Sequence, residues 1–392
     1  MIYLDNAATT PLDPRAYAAM RPYLEPGGVH GNPSSGHAAG KLARQVVEQA
    51  REQVAALIGA EPNEIIWTSG ATESDNLAIK GALEFYSGRG RHIVTSRTEH
   101  KAVLDTCRHL EIGLNGGQGV RVTYLKPQAD GRVTPEQVME ALTPETVLVS
   151  LMWVNNEIGV IQDVERLAPL LRERGVLFHV DAVQAAGKLP IDLRKTPIDL
   201  LALSAHKLYG PKGMGALFVR KKPRARLTPQ MHGSGHEQGM RSGTLPTHQI
   251  AGMGEAYRIA GDELLKESAR LQFLRDRLWT ALSRLPGIFL NGEAAPRAPG
   301  ILNVSFSGVE GESLRSSLPG LALSSGSACS SATGESSYVL RALGHDDELA
   351  GASLRFSLGR FTTLAEIDQA AAQVVEQVQR LRDISPIWKS AA

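Results

Sequence analysis

From residue 65 onward, short apolar runs bounded by small and polar residues alternate with longer stretches whose apolar positions recur every three or four residues. The runs at 65–67, 92–94, 120–124, 147–151, 176–180, 200–203 and 216–219 predict strands. The stretches at 72–86 and 163–174 predict helices between them, the second closed by Gly175. Ahead of this alternation come an extended segment over 1–14, a turn-rich loop over 31–36 and a helix from about Ala38 to Ile58 that Gly59 stops. Behind it, a long helical stretch from about His248 to Leu285 leads to short strands at 302–306 and 353–357. A terminal helix follows, with Leu364, Ile367, Ala371, Val374, Val378 and Leu381 on one stripe.

Strand and helix in succession predict an α/β chain with a mainly parallel sheet covered on both faces. The long helix reads as the bridge to a smaller α+β unit. The expected division is a large domain over 15–260 and a small domain made of 1–14 and 261–392. In such sheets ligands gather at the carboxyl ends of the strands, so the polar residues just after each apolar run are the candidates for chemistry.

Composition narrows the class. The chain has 392 residues, 42% hydrophobic and 21% charged, with a net charge of +1. Nothing in that balance favours nucleic acid or an anionic membrane surface. The N-terminus lacks the pattern of a signal peptide, and no run approaches the roughly 20 apolar residues of a membrane span. A cytoplasmic location, without nucleic acid or membrane, is the expectation. Cys107 and Cys329 form neither a disulfide framework nor a Cys-x-x-Cys metal pair.

Lys207 stands out among the strand-end residues. It lies in Ser204-Ala-His-Lys-Leu-Tyr-Gly-Pro-Lys-Gly213, after a buried-type strand and before a Gly/Pro turn. A lysine so placed is an amine nucleophile when its surroundings depress its pKa; as a surface residue in a turn it is inert. The turn Thr68-Ser-Gly-Ala-Thr72 opens a helix and offers backbone N–H groups to a phosphate, or is simply a helix cap. Asp181 ends the strand at 176–180, where a carboxylate needs a partner such as a protonated pyridine nitrogen; helix capping is the other reading. His100 suits ring stacking and proton exchange, or a local hydrogen bond. Asn156 suits a ring hydroxyl or a turn. Together they match the needs of pyridoxal 5'-phosphate: a phosphate anchor, a lysine for its aldehyde and a carboxylate for its ring nitrogen.

Two further residues bear on the reaction. Cys329 lies in a segment of small residues, 323–334, whose composition predicts an exposed, mobile loop and an accessible thiol. Cys107 falls inside an expected helix at 101–110 and reads as core filler. Arg355 alternates with apolar residues in a strand. Its guanidinium suits a bidentate grip on a substrate carboxylate, or a structural ion pair.

These residues sit in motifs that run the length of the chain: Tyr3-Leu-Asp-Asn-Ala-Ala-Thr-Thr-Pro11, 68–82, Thr98-Glu-His-Lys101, Asn155-Asn-Glu-Ile-Gly159, 204–213, Gly239-Met-Arg-Ser-Gly-Thr244 and Ser325-Gly-Ser-Ala-Cys-Ser330. In them the chain resembles the pyridoxal-phosphate-dependent cysteine desulfurases of the IscS/NifS family, within the class V aminotransferase superfamily, and most closely the housekeeping IscS group. The resemblance implies the fold type I architecture of such transferases. It assigns Lys207 to the covalent link with the cofactor and Asp181 to the pyridinium. Gln184 and Asn156 would bond the cofactor hydroxyl side, and His100 would stack on the ring and move protons. Ala71, Thr72, Ser204 and His206 would hold the phosphate, joined by Thr244 from the partner subunit of a homodimer. Arg355 would hold the carboxylate of L-cysteine. Cys329 would take the sulfur as a persulfide, releasing alanine.

The same likeness implies delivery of that sulfur to an iron–sulfur scaffold protein and other acceptors, including tRNA thiolation, with Cys329 as a transient cluster ligand and no other metal. Relatives carry a longer C-terminal tail implicated in scaffold docking, and histidine where this chain has Trp153. A selenocysteine lyase, another class V enzyme or a non-catalytic sulfur-relay scaffold are the alternatives.

Overall fold

The computed structural model describes residues 1–113, 119–324, 336–385 and 388. Its first strand, β1 (Ile2–Tyr3), lies outside the main sheet. The main sheet is built from β2 (Ile65–Thr68), β3 (His92–Ser96), β4 (Arg121–Leu125), β5 (Thr146–Met152), β6 (Leu177–Asp181), β7 (Leu200–Ser204) and β8 (Gly215–Val219). Their order is β2-β8-β7-β6-β5-β3-β4. Only β8 runs against the rest, pairing antiparallel with both β2 and β7. Every residue of β2, β3, β5, β7 and β8 is buried, so these segments read as continuous apolar runs rather than alternating ones.

A smaller antiparallel sheet follows, formed by β9 (Ile288–Leu290), β10 (Ile301–Phe306) and β12 (Ser353–Ser357) in the order β12-β10-β9. β1 pairs in parallel with β11 (Leu321–Ala322). Four apolar clusters form among the described residues, and the two largest bear on the site. One joins the main sheet to the helix Ala38–Ile58 and to Ile250, Met253 and Tyr257. The other joins Ile2 and Leu4 to Leu271, Leu274, Leu278, Leu302, Leu354 and Val374.

The long helix, Thr247–Leu282, contributes its first half to one cluster and its second half to the other. At 36 residues and 1.5 Å per residue it spans about 54 Å. The helix Ala38–Ile58 starts where His37 Nδ1 accepts from Gly40 N and stops at Gly59 in the left-handed region (φ 65°), a C-terminus that glycine favours.

The expected strands and long helices are all present, with ends shifted by at most three residues. The extended reading of 1–14 holds only to Asp13, whose side chain caps a helix at Pro14–Met20 by accepting from Arg15 N. Short helices at Pro135–Ala141, Gly311–Ser316, Tyr338–Leu343 and Asp347–Gly351 are too brief for apolar periodicity to reveal them.

Before that helix, the N-terminal segment crosses from one sheet to the other. Asn6 N donates to Ser357 O at the end of β12, while Thr10 N and Asp13 N donate to His206 O and Tyr209 O in the turn after β7. This crossing sets the N-terminal residues directly over the carboxyl ends of the central strands.

Candidate cofactor site

A cavity of about 520 Å³ opens there, lined from below by residues that follow β2, β5, β6 and β7 and from above by Ala7, Ala8, Thr9 and Arg355. Ten of the candidates meet in it: Ala71, Thr72, His100, Asn156, Asp181, Gln184, Ser204, His206, Lys207 and Arg355. Among the described residues no group of three or more His, Cys, Asp or Glu side chains has the arrangement of a metal site.

Lys207 lies in the first turn after β7. Its Nζ donates to Ala7 O at 2.7 Å and to Ala8 O at 2.5 Å. The turn is held from the same segment: Thr10 Oγ1 donates to His206 O and accepts from Tyr209 N. Tyr209 takes a left-handed backbone (φ 62°), which a tyrosine adopts only when its surroundings impose it. Here Arg360 lies over its ring at 4.3 Å and donates its backbone N–H to the Tyr209 hydroxyl.

At another wall Asp181 ends β6. Val183 N donates to its Oδ1 at 3.0 Å, and burial, aided by the Asp75 carboxyl, raises its pKa to about 6. Two residues earlier on the same strand, and so on the same face, His179 is wholly buried. Its Nδ1 lies 2.8 Å from Ser150 Oγ and its Nε2 3.4 Å from Asp75 Oδ1. Burial lowers the His179 pKa to about 4 and raises that of Asp75 to about 8. At neutral pH both are therefore mainly uncharged, leaving Asp181 as the anion at this wall. His100 caps the helix Lys101–Ile112, its Nδ1 accepting from Ala102 N at 3.1 Å. The local hydrogen bond and the position in the cavity are thus both realised. Burial lowers its pKa as well.

The phosphate-type end is the N-terminus of the helix Ala71–Phe85. Its N-cap is Gly70, which supplies no side-chain cap, so the first N–H groups beside the cavity are those that an anion would satisfy. Ser204 Oγ also lines the cavity, buried without a hydrogen-bond partner among the described residues. His206 is neutral there, its pKa lowered to about 4 by burial and by Lys207.

Arg355 is 1% exposed. It donates from Nη2 to Asp5 Oδ1 at 2.7 Å and from Nη1 to Asn156 O at 2.9 Å. Among the described residues its Nε has no partner, nor does Asn156 Oδ1. Asn156 lies four residues beyond the end of β5, in the turn after it. Buried polar groups normally find partners. Orphans at Ser204, Asn156 and Arg355, set among an anion-ready helix end, a lysine amine and a lone carboxylate, fit a ligand carrying a phosphate, a carbonyl and a basic ring nitrogen.

Two candidates stand apart. Thr244 is exposed and does not line the cavity, and Cys329 lies outside the described residues. Cys107 is fully buried in the helix Lys101–Ile112, its thiol pushed up to about 12 by burial and then by Glu99, as core filler should be. Trp153 is buried too, its backbone joining Asp181 O and Gln162 N.

Sequence reasoning missed Asp5, Asp75, Glu99 and Lys188. Asp75 had one signal: it lies four residues after Ala71 on a helix, and so on the cradle's face. Glu99, beside His100, accepts from Met152 N at 2.9 Å and is held well above the carboxylate range by burial.

A family model described as Aminotransferase class-V matches residues 2–370. The cysteine desulfurase IscS of Serratia proteamaculans (strain 568) is 58% identical over 388 residues, covering 99% of this chain and 95% of that protein. Its counterpart in Pseudomonas aeruginosa (strain UCBPP-PA14) is 59% identical with the same coverage. A solved structure described as a NifS-like protein superposes with a TM-score of 0.88 at 36% identity, covering 97% of this chain and all of that one. The architecture is accordingly that of the fold type I pyridoxal-phosphate enzymes. With its sheets, its cavity and its sequence in agreement, the chain belongs to the class V aminotransferase family, in the group of the IscS cysteine desulfurases.

Proposed function

We propose that the protein is a pyridoxal-phosphate-dependent cysteine desulfurase, taking sulfur from L-cysteine, leaving L-alanine and holding the sulfur as a persulfide on Cys329. The observation that carries this reading is the meeting of Lys207, Asp181 and Arg355 in one cavity with the open helix end at Ala71. The high identity to proteins described as cysteine desulfurases supports it.

In this reading Ala71, Thr72, Ser204 and His206 hold the phosphate, Asp181 faces the ring nitrogen, His100 covers the ring, and Asn156 and Gln184 face the ring hydroxyl. When bound, the cofactor supplies an aldehyde for the Lys207 amine and a ring that accepts electrons from the substrate α-carbon. The residues do the rest. Ionised Asp181 keeps the ring nitrogen protonated. Arg355, fixed by Asp5 and Asn156 O, offers its remaining N–H groups to the substrate carboxylate. The Lys207 amine has the carbonyls of Ala7 and Ala8 as acceptors. The Cys329 thiolate forms an S–S bond to the substrate sulfur as the sulfur–Cβ bond breaks, and the carbon skeleton takes up a proton and leaves as alanine.

The sulfur acceptor is proposed as an iron–sulfur scaffold protein, with tRNA thiolation as a further outlet. Homodimerisation is part of the reading: exposed Thr244 belongs in the partner's phosphate site, on a segment that Arg241 ties to Glu73 in the cradle helix at 2.8 Å. The division into 15–260 and 1–14 with 261–392 is supported by the cluster around the small sheet, in which Ile2 and Leu4 pack with Leu271 and Leu354. No helix among the described residues is long and apolar enough to cross a membrane.

The test is brief exposure of the holoprotein to L-cysteine, with alanine measured and the protein weighed by mass spectrometry. One added sulfur on Cys329 and matching alanine are expected. Cys329→Ala should keep the visible absorbance and lose turnover. Cysteine turnover undiminished in that variant would overturn the assignment of the thiol, and the absence of any visible band with added pyridoxal phosphate would overturn the cofactor.

A further inference from the structure

Lys188 has no part in the roles above, yet it is tied to the site. It lies one turn after Gln184 and lines a narrow hollow with Tyr209, Glu267 and Leu271 rather than the cofactor cavity. Ser268 Oγ donates to its backbone carbonyl at 3.0 Å, fastening it to the long helix. Its Nζ donates to Gln184 Oε1 at 2.5 Å.

That contact fixes which way the Gln184 amide points. The amide's two ends differ chemically: the oxygen accepts and the nitrogen donates. Lys188 takes the oxygen. Ala7 O, which can only accept, takes the nitrogen at 2.9 Å. Gln184 is also one of the residues that line the cofactor cavity. Ala7 O also accepts from Lys207 Nζ, so the amide and the reactive lysine share an acceptor.

We propose that Lys188 is a positioning residue for the cofactor: by holding the Gln184 amide in one orientation it presents a donor N–H, not an oxygen, to the ring hydroxyl. A flipped amide would set its oxygen against the ring oxygen and lose the bond to Ala7 O. The charged and titratable groups around Lys188 are Lys207 and His206 after β7, Arg355 on β12 and Glu267 on the long helix, whose carboxylate Arg360 grips at 2.9 Å. Burial, then Lys207, lowers the Lys188 pKa to about 7. A neutral amine still donates, though less strongly than an ammonium, and Ala7 O, which only accepts, holds the nitrogen end of the amide on both sides of that titration.

The inference rests on the cavity being the pyridoxal-phosphate site, and its test separates the two. A wild-type protein without a visible band fails that reading, not this one. Given the band, its pH midpoint is measured in the holoprotein. A donor on the ring oxygen favours the anionic oxygen and lowers the midpoint, so losing the donor raises it. Lys188→Met and Gln184→Met should each raise it by about half a pH unit or more, the scale of one hydrogen bond. The double variant should shift no further than the larger single one, because both remove the same bond. Lys188→Arg, which keeps a donor, should lie near wild type. An unmoved midpoint in Lys188→Met, or single shifts that simply add, overturns the proposal, the latter because Lys188 would then act by charge alone. Should Lys188→Met fail to take up pyridoxal phosphate, Lys188→Thr replaces it in the same cycle with the same two outcomes.

Discussion

Asp181 and Asp75 face the same cavity wall under different constraints, and their titration divides accordingly. Asp181, raised to about 6 chiefly by burial, is ionised at neutral pH and loses its charge as pH falls through that value. Pyridoxal phosphate affinity of the cofactor-free protein should therefore fall between pH 7 and 5, followed by fluorescence quenching. Asp181→Asn should bind weakly throughout and flatten that limb.

Asp75 makes a stability prediction of the opposite kind. Its folded pKa of about 8 exceeds the ordinary 3.8, so folding at pH 7 requires it to take up a proton, a cost that grows from pH 4 to pH 8. Asp75→Asn needs no proton and should raise Tm at pH 7, with the gain fading toward pH 4. Equal gains at both pH values would contradict this. Lys207 and Asp181 were legible in the sequence because each interrupts an apolar run at its end. Asp75 and Lys188 were not, since their environment is made by His179 on β6 and by Gln184 turning toward Ala7, contacts that sequence spacing does not encode.

At the scale of elements, the cradle depends on a close approach of two backbones. A Cβ at Gly215, the first residue of β8, would meet Leu203 O at 2.6 Å and Gly70 Cα at 2.7 Å. Gly70 itself sits at φ 153°, where glycine is favoured. Gly215→Ala should push the 68–71 turn outward and weaken pyridoxal phosphate binding about tenfold or more, by equilibrium titration, since over 1 kcal/mol of strain is typical of forced overpacking. The lysine turn has its own clamp. Arg360 joins Asp13 at 2.7 Å and Glu267 at 2.9 Å, all three largely buried. Arg360→Met leaves both carboxylates without that cation and should cost roughly 3–5 kcal/mol, read as an earlier unfolding midpoint in urea.

For the whole molecule, the site draws on the main sheet, the N-terminal segment and β12 together, so no single apolar cluster forms it alone. Light scattering should give twice the 42.1 kDa chain mass. Thr244→Val should lower pyridoxal phosphate affinity without changing that mass; a monomer with full affinity would remove the shared phosphate site.

The order of strands and helices, the covered sheet and the strand-end positions of Lys207, Asp181 and Ser204 follow from the sequence itself. Burial on two faces demands continuous apolar runs, and polar residues can enter only where such runs end. Tertiary structure alone decided the crossing of residues 5–13 from Ser357 to Tyr209. It also decided the seat of Arg355 between Asp5 and Asn156 and the amide lock at Gln184. Some of those contacts join residues about 350 positions apart, and their cost and benefit exist only once both sheets are packed.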